Sequence, residues 1–135
     1  MKSDSSTRLY NMARQYFERP ELERFIQKIR SYDADPNLEF FQLRQEGEAI
    51  TLEYGALLDQ IVADITMTRQ ELREVIIRRS AIHRVHVSVL EERVELNLGY
   101  VGPGNLAYEA TSKPAREALL EYSERIRALF LQGAL

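Results

Sequence analysis

The chain of 135 residues contains no cysteine, and its net charge is only slightly negative. Without cysteine it has no thiol nucleophile, disulfide or thiolate zinc site, and it suits a reducing compartment. The formal charge of −3 argues against a general nucleic-acid binder, which normally carries a basic excess. No apolar run approaches the roughly 18 residues of a membrane span, and the polar start Met1–Thr7 is unlike a signal peptide. We therefore expect a cytoplasmic protein that binds neither nucleic acid nor membrane.

Motifs for metal binding, phosphate binding and catalysis are also lacking. Asp33, Asp35 and Asn37 repeat the opening of a calcium-binding loop, but Arg44 occupies the position of its bidentate glutamate and would repel a cation. The two histidines lie three residues apart, where a strand directs side chains to opposite faces, so they are poorly placed to share a metal. The glycine-rich stretch 99–104 has no following Lys-Ser or Lys-Thr. We predict no metal site, no cofactor and no catalytic residue.

What the sequence does contain is typical of a globular protein. Hydrophobic residues make up 44% and charged residues 29% of the chain, near the averages for globular domains, and the length suffices for one hydrophobic core. We predict a disordered N-terminus over 1–6 and a single α+β domain over 7–135. Its parts are a helical segment (7–31), an antiparallel sheet of about six or seven strands (38–110) and a long amphipathic C-terminal helix packed on that sheet (112–132).

Apolar residues at helical spacing occur towards both ends of the chain. Leu9, Ala13 and Phe17 recur on one helical face, and Pro20 then either kinks that helix or opens a second one. Ser112 caps the C-terminal helix, whose apolar stripe is Ala115, Ala118, Leu119, Tyr122, Ile126, Leu129 and Phe130. The residues that we expect to bury together are Tyr122, Ile126 and Leu129 on this helix and Val85, Val87, Leu96 and Leu98 on the strands.

Alternation of apolar and polar residues predicts strands in the middle of the chain. It is clearest over 85–98, which forms an antiparallel hairpin, and over 61–67, where it directs Asp64 outward. Residues 68–79 are ambiguous. Thr68 and Glu71 have the spacing of a helical capping box, whereas the β-branched run that follows suits a strand. We favour a helix over 68–79, with a strand as the alternative.

Two fold resemblances follow from this order of elements. With a helix at 68–79, the chain resembles the small acidic chaperones of bacterial type III secretion and their cytosolic relatives, which bind another protein in extended form, commonly as dimers. With a strand there, residues 38–132 resemble a pleckstrin-homology-like domain that carries an added N-terminal helical segment. Such resemblances imply more about architecture than about function.

One segment, between Arg73 and His86, concentrates positive charge. Its cations include arginine but no lysine, and arginine is favoured at binding surfaces because it pairs well with carboxylates. Alternatively, these cations pair within the chain with nearby glutamates, namely Glu71, Glu74, Glu91, Glu92 and Glu95. The residues that we predict to bind a partner are Arg73, Arg78, Arg79, Arg84 and His86, together with Tyr100 on the glycine-rich loop.

These features predict a non-enzymatic function in protein binding. We expect an adaptor or a secretion-chaperone-like protein with a protein partner, an acidic one being favoured, and a homodimer is left open. One alternative is a pleckstrin-homology-like module that binds lipid at a membrane surface, although the acidic turn Gln45–Glu48 would repel an anionic head group. The other alternative is an enzyme without a recognisable motif.

Overall fold

The computed structural model describes residues 4–101 and 104–135, in which three α-helices and seven strands occur. Their order is α1 (Asp4–Ala13), α2 (Arg19–Tyr32), β1 (Glu39–Glu46), β2 (Ala49–Leu57), β3 (Ile61–Met67), β4 (Leu72–Arg78), β5 (Ile82–Val89), β6 (Val94–Tyr100), β7 (Asn105–Ala110) and α3 (Lys113–Leu131). The fold is α+β, as predicted. Its strands form two antiparallel sheets, with the orders β1-β2-β3-β4 and β5-β6-β7. A short 3-10 turn, Arg79–Ala81, separates β4 from β5, and β5 pairs with β6.

The chain divides into two compact units. The first comprises the chain up to Leu58 together with Ala63–Val75, and the second comprises Asp59–Val62 together with Ile76–Leu135. The boundary between the units therefore falls within β3 and within β4. The single domain over 7–135 stays a prediction.

The first unit buries the apolar faces of α1 and α2 together with residues of β2 and β3. Pro20 lies in the first turn of α2, where its missing N–H costs no helical bond, so the N-terminal segment forms two helices. α1 begins at Asp4, three residues before the predicted helical segment over 7–31, and the disorder predicted over 1–6 stays a prediction. Ser6 is buried, and its hydroxyl accepts a bond from Arg30 Nε at 3.3 Å, which ties the start of α1 to α2. Residues 1–3 lie outside the described part of the chain.

The second unit buries one face of α3, a helix that contacts β5, β6 and β7. Tyr122 and Ile126 are buried as predicted, and the Tyr122 ring meets Tyr108 edge-on at a centroid distance of 6.4 Å. Leu96 and Leu98 are also buried, whereas the residues that are only half-buried are Val85, Val87 and Leu129. The two valines are less covered than predicted because they lie on the edge strand β5.

No helix in the described residues is long and apolar enough to cross a membrane.

The helix favoured over 68–79 is wrong, because residues 72–78 form the strand β4. The Thr68 hydroxyl accepts bonds from the backbone N–H groups of Gln70 and Glu71, both at 3.2 Å. A capping box would use the same hydroxyl and the same spacing, but here the contacts close the turn between β3 and β4. The β-branched run Val75–Ile77 then follows strand propensity. The order of elements is thus the strand alternative, with seven strands followed by a helix.

Candidate functional site

The sheet β5-β6-β7 carries its polar residues on the face opposite its buried leucines. The register pairs the valines of β5 with buried residues of β6, while Arg84 lies opposite Gly99 and His86 lies opposite Asn97. Arg84 and His86 are both exposed. Because β5 is an edge strand, two of the predicted partner-binding residues lie on the polar face of an edge. We call Arg84, His86 and the outer edge of β5 the β5 surface.

Gly99 makes room for the Arg84 side chain on this surface. A Cβ added at position 99 would lie 3.2 Å from Arg84 Nε and 3.3 Å from Arg84 Cβ and His83 Cε1. The absence of a side chain at 99 therefore lets Arg84 lie across β6. The adjacent Asn97 is held in place, since its Oδ1 accepts a bond from Asn105 Nδ2 at 2.6 Å. The residue opposite His86 is thus fixed by a hydrogen bond between β6 and β7.

Two of the predicted partner-binding arginines make contacts within the chain instead. Arg73 is exposed, and its guanidinium lies 3.1 Å from the Glu71 carboxylate. Arg79 donates to the backbone carbonyls of Asp59 and Ala134, at 3.0 and 2.7 Å. These bonds join the start of β3 to the end of the chain within the second unit, so Arg79 has a structural role that its sequence context does not reveal.

The remaining predicted residues differ in their availability. Arg78, Arg84 and His86 are exposed, and no carboxylate among the described residues lies within ion-pairing distance of them. Tyr100 is half-buried, and its ring occupies the space in which a Cβ at Gly104 would lie. Tyr100 therefore packs on the described end of the glycine-rich loop, while Gly102 and Pro103 lie outside the described residues.

The alternative pairing of these cations with nearby glutamates holds in part. Glu71 pairs with Arg73, but Glu74 contacts Lys28 at 3.2 Å and Glu95 contacts Arg93 at 3.2 Å. Glu91 and Glu92 lie exposed in the turn between β5 and β6. The glutamates therefore leave Arg84 and His86 without an ionic partner in the described chain.

Exposed apolar side chains lie at the end of β5. Val89 is 62% exposed and Leu90 is 47% exposed. Leu90 also lines a cleft with residues of the same unit, namely Glu91, Glu92, Arg93, Glu109, Thr111 and Arg116. Val89 has the parity of Val85 and Val87, so its exposed side chain lies on the face opposite Arg84 and His86.

Polar residues buried in the first unit were missed by the analysis of the sequence. Gln42 and Glu53 lie opposite each other on β1 and β2, and Gln42 Nε2 donates to Glu53 Oε1 at 2.7 Å. Arg44 Nη2 lies 3.8 Å from the other oxygen of Glu53. Asp64, which alternation directs outward, is 94% covered, since its exposed fraction is 6%. Burial raises the pKa of Glu53, against the weaker opposing effects of Gln42 and Arg44.

The raised pKa of Glu53 predicts a stability that depends on pH. A carboxyl whose folded-state pKa is raised stabilises the fold below its ordinary value of 4.5, and this contribution is lost as the pH rises through the folded-state value. Glu53→Gln keeps an acceptor for Gln42 and removes the buried charge. We expect the variant to match the wild type at about pH 4 and to be more stable than it at about pH 7.

Urea unfolding at both pH values checks this expectation. The control is Glu48→Gln in the exposed turn between β1 and β2, where a surface substitution should change stability by less than about 0.5 kcal/mol. A wild type that is more stable than the Glu53 variant at neutral pH would mean that the contact with Arg44 outweighs the cost of burial.

Comparison with known proteins gives no relative from which a role could be transferred. The chain matches no protein-family model, no curated protein and no solved structure. Within residues 4–101 and 104–135, no group of three or more histidine, aspartate or glutamate side chains is placed to hold a metal ion.

Proposed function

We propose that this protein binds an acidic, extended segment of another protein along β5. The observation that carries the proposal is the pair Arg84 and His86, an exposed guanidinium and an exposed imidazole that lack a carboxylate partner among the described residues and lie on an edge strand. An edge strand offers backbone donors and acceptors to an incoming chain. The guanidinium of Arg84 on such an edge favours an incoming chain that carries carboxylates, and the His86 ring offers an N–H donor beside it.

The hydrogen bonding of the β5–β6 hairpin indicates which backbone groups are offered. Leu90 N donates to the carbonyl of Arg93 at 2.8 Å, next to the pair formed by Val89 and Val94. Antiparallel ladders alternate between hydrogen-bonded and non-hydrogen-bonded pairs, so Arg84 and His86 direct their backbone groups towards β6. The valines of β5, at positions 85, 87 and 89, direct theirs to the outer edge.

An added strand would therefore hydrogen-bond to the valines while its alternate side chains lie beside Arg84 and His86. Backbone bonds give affinity in this mode of binding, and side chains give specificity. Opposite charges on neighbouring strands attract, whereas like charges repel. The expected ligand is a peptide that alternates acidic and apolar residues, with its acidic residues on the side of Arg84 and His86.

The proposal predicts a loss of peptide binding when glutamate replaces both Arg84 and His86. The probe is a fluorescent peptide of alternating glutamate and valine, and anisotropy measures its affinity. The double variant R84E/H86E is expected to bind at least about ten-fold more weakly, which corresponds to about 1.4 kcal/mol. The matched control is Arg127→Glu on α3, an exposed arginine of the same unit.

Equal affinities of the wild type, R84E/H86E and the control would refute the electrostatic recognition. Circular dichroism would show that each variant folds. Co-purification of the tagged protein from its native cells at moderate salt, followed by mass spectrometry, would then identify the natural partner. Loss of the same partner from R84E/H86E would connect it to the β5 surface.

Lipid binding is the weaker candidate, although the order of elements is the one that resembles a pleckstrin-homology-like domain. Glu46 and Glu48 are exposed around the turn between β1 and β2, and they would repel an anionic head group. We expect the protein not to float with anionic liposomes at low ionic strength. Flotation that is sensitive to salt would favour the lipid module over the peptide binder.

A further inference from the structure

The edge of the other sheet points to a second interaction, which goes beyond the proposed binding of an acidic segment. β4 is the last strand in the order β1-β2-β3-β4, and it is continuous from Leu72 to Arg78. Ile76 is 53% exposed on this edge, and Glu74 and Arg78, two residues to either side, are also exposed. Side chains two apart on a strand share a face, so one face of the edge presents the series acid, isoleucine, base.

The backbone of β4 offers its groups at these same three residues. At one end of the β3–β4 pair, the Thr68 N–H donates to the Glu71 carbonyl at 2.9 Å. Just beyond the other end, the Arg79 N–H donates to the Gln60 carbonyl, also at 2.9 Å. In an antiparallel ladder hydrogen-bonded pairs alternate with non-hydrogen-bonded pairs, so each of these two bonds makes the odd-numbered residues of β4 near it the ones that bond to β3. The even-numbered residues, Glu74, Ile76 and Arg78 among them, therefore direct their N–H and C=O groups away from β3.

We propose that two copies of this chain pair antiparallel along β4, with the two-fold axis at Ile76. This register places Ile76 opposite Ile76 of the second copy, and it places Glu74 opposite Arg78 twice. An isologous contact requires a self-complementary surface, which an isoleucine between an acid and a base supplies. The odd-numbered residues then place Val75 opposite Ile77 on the other face of the joined sheets.

Other antiparallel registers lack this complementarity. An axis at Glu74 brings two carboxylates together, and an axis at Arg78 brings two guanidinium groups together, which is destabilising. An axis at Val75 or Ile77 sets Ile76 opposite a charged residue. The axis at Ile76 is thus the one that matches apolar with apolar and acid with base, and it commits β4 to a second copy of the same chain.

Contacts within the first unit hold Glu74 ready for this pairing. Its carboxylate accepts a hydrogen bond from the Tyr32 hydroxyl and lies 3.2 Å from Lys28 Nζ, both residues of α2. A carboxylate has acceptor positions for several donors, so Glu74 can also receive the guanidinium of the second copy's Arg78. Arg78 has no carboxylate partner among the residues that the structure describes.

Sedimentation velocity over a range from low to several hundred micromolar protein tests the proposal. The wild type should shift from monomer to dimer, and Ile76→Lys, which sets two ammonium groups face to face, should raise the dissociation constant at least ten-fold. The matched control is Leu131→Lys, because Leu131 is also an exposed apolar residue, 71% exposed on α3. A wild type that stays monomeric throughout, or an equal loss in the Leu131 variant, would overturn the proposal.

Charge reversal tests the register separately. Glu74→Lys alone and Arg78→Glu alone each set like charges opposite each other in a homodimer, so both should be monomeric. Mixed together, the two variants match acid with base at both pairs, and they should form a heterodimer. Failure of the mixture to associate while the wild type dimerises would overturn this register. Neither reversal alters Arg84 or His86, so these outcomes are independent of peptide binding.

Discussion

Replacing Ile126 with alanine is expected to destabilise the protein by about 2–5 kcal/mol, the range for deletion of a buried aliphatic side chain. Ile126 is 0% exposed on α3, on the stripe that also buries Leu119 and Tyr122. The helix contacts all three strands of the sheet β5-β6-β7. Truncation would leave a cavity beneath the helix, because close-packed surroundings relax only partly.

Urea unfolding, followed by circular dichroism, measures this loss. The matched control is Leu131→Ala on the same helix, because Leu131 is 71% exposed and surface substitutions usually change stability by less than about 0.5 kcal/mol. An Ile126 variant as stable as the wild type would mean that α3 does not hold the second unit together. A large loss in the Leu131 variant would mean that the end of α3 is buried in solution.

Replacing Phe25 with alanine is expected to destabilise the protein by about 3–5 kcal/mol, since it deletes a buried aromatic ring. Phe25 is 0% exposed in α2, and its neighbours in the core of the first unit include Leu22 and Ile29. Aromatic rings bury large areas, so no smaller side chain could fill this site without moving the helix.

The control for this substitution is Gln27→Ala, an exposed position on α2, where alanine also favours a helix. The urea midpoint should fall for Phe25→Ala and stay within error for Gln27→Ala. If Phe25→Ala left the midpoint unchanged, α2 would not be docked on the strands in solution, and the contact between Tyr32 and Glu74 would be lost with it.

The edge strands β4 and β5 carry different patterns of charge, with different consequences for what can pair with them. Natural proteins place charges on edge strands to prevent unwanted pairing. On β5 the exposed polar face carries the positive charge of Arg84 and no carboxylate beside it, which favours an acidic strand over a second copy of β5. On β4 the charges of Glu74 and Arg78 have opposite signs, which admits a second copy. If these charges served only to prevent unwanted strand pairing, β4 and β5 would not need different patterns of charge.

Much of the secondary structure could be predicted from periodicity. In α2 and β6 the spacing of apolar residues matches the buried face, because each of these elements packs against the protein on one side. In α3 it matches at Leu119, Tyr122 and Ile126, whereas Ala118 of the predicted stripe is exposed. The strand β4 could not be predicted in this way. Thr68 and Glu71 make the same local spacing in a hairpin turn as in a helical cap, and propensity alone does not decide between the two.

The candidate site was predicted only in part, because the contacts of its polar residues depend on the folded structure. The sequence by itself determined the class of the fold, the two N-terminal helices or one bent helix, and a cationic segment that contains Arg84 and His86. Only the tertiary structure decided that Arg79 bonds to Ala134, 55 residues away, while Arg84 stays exposed. It also decided that Gln42 and Glu53 are buried as a pair. Periodicity reports which face of an element is apolar, whereas the partner of a polar group depends on residues that are distant in the chain and adjacent only after folding.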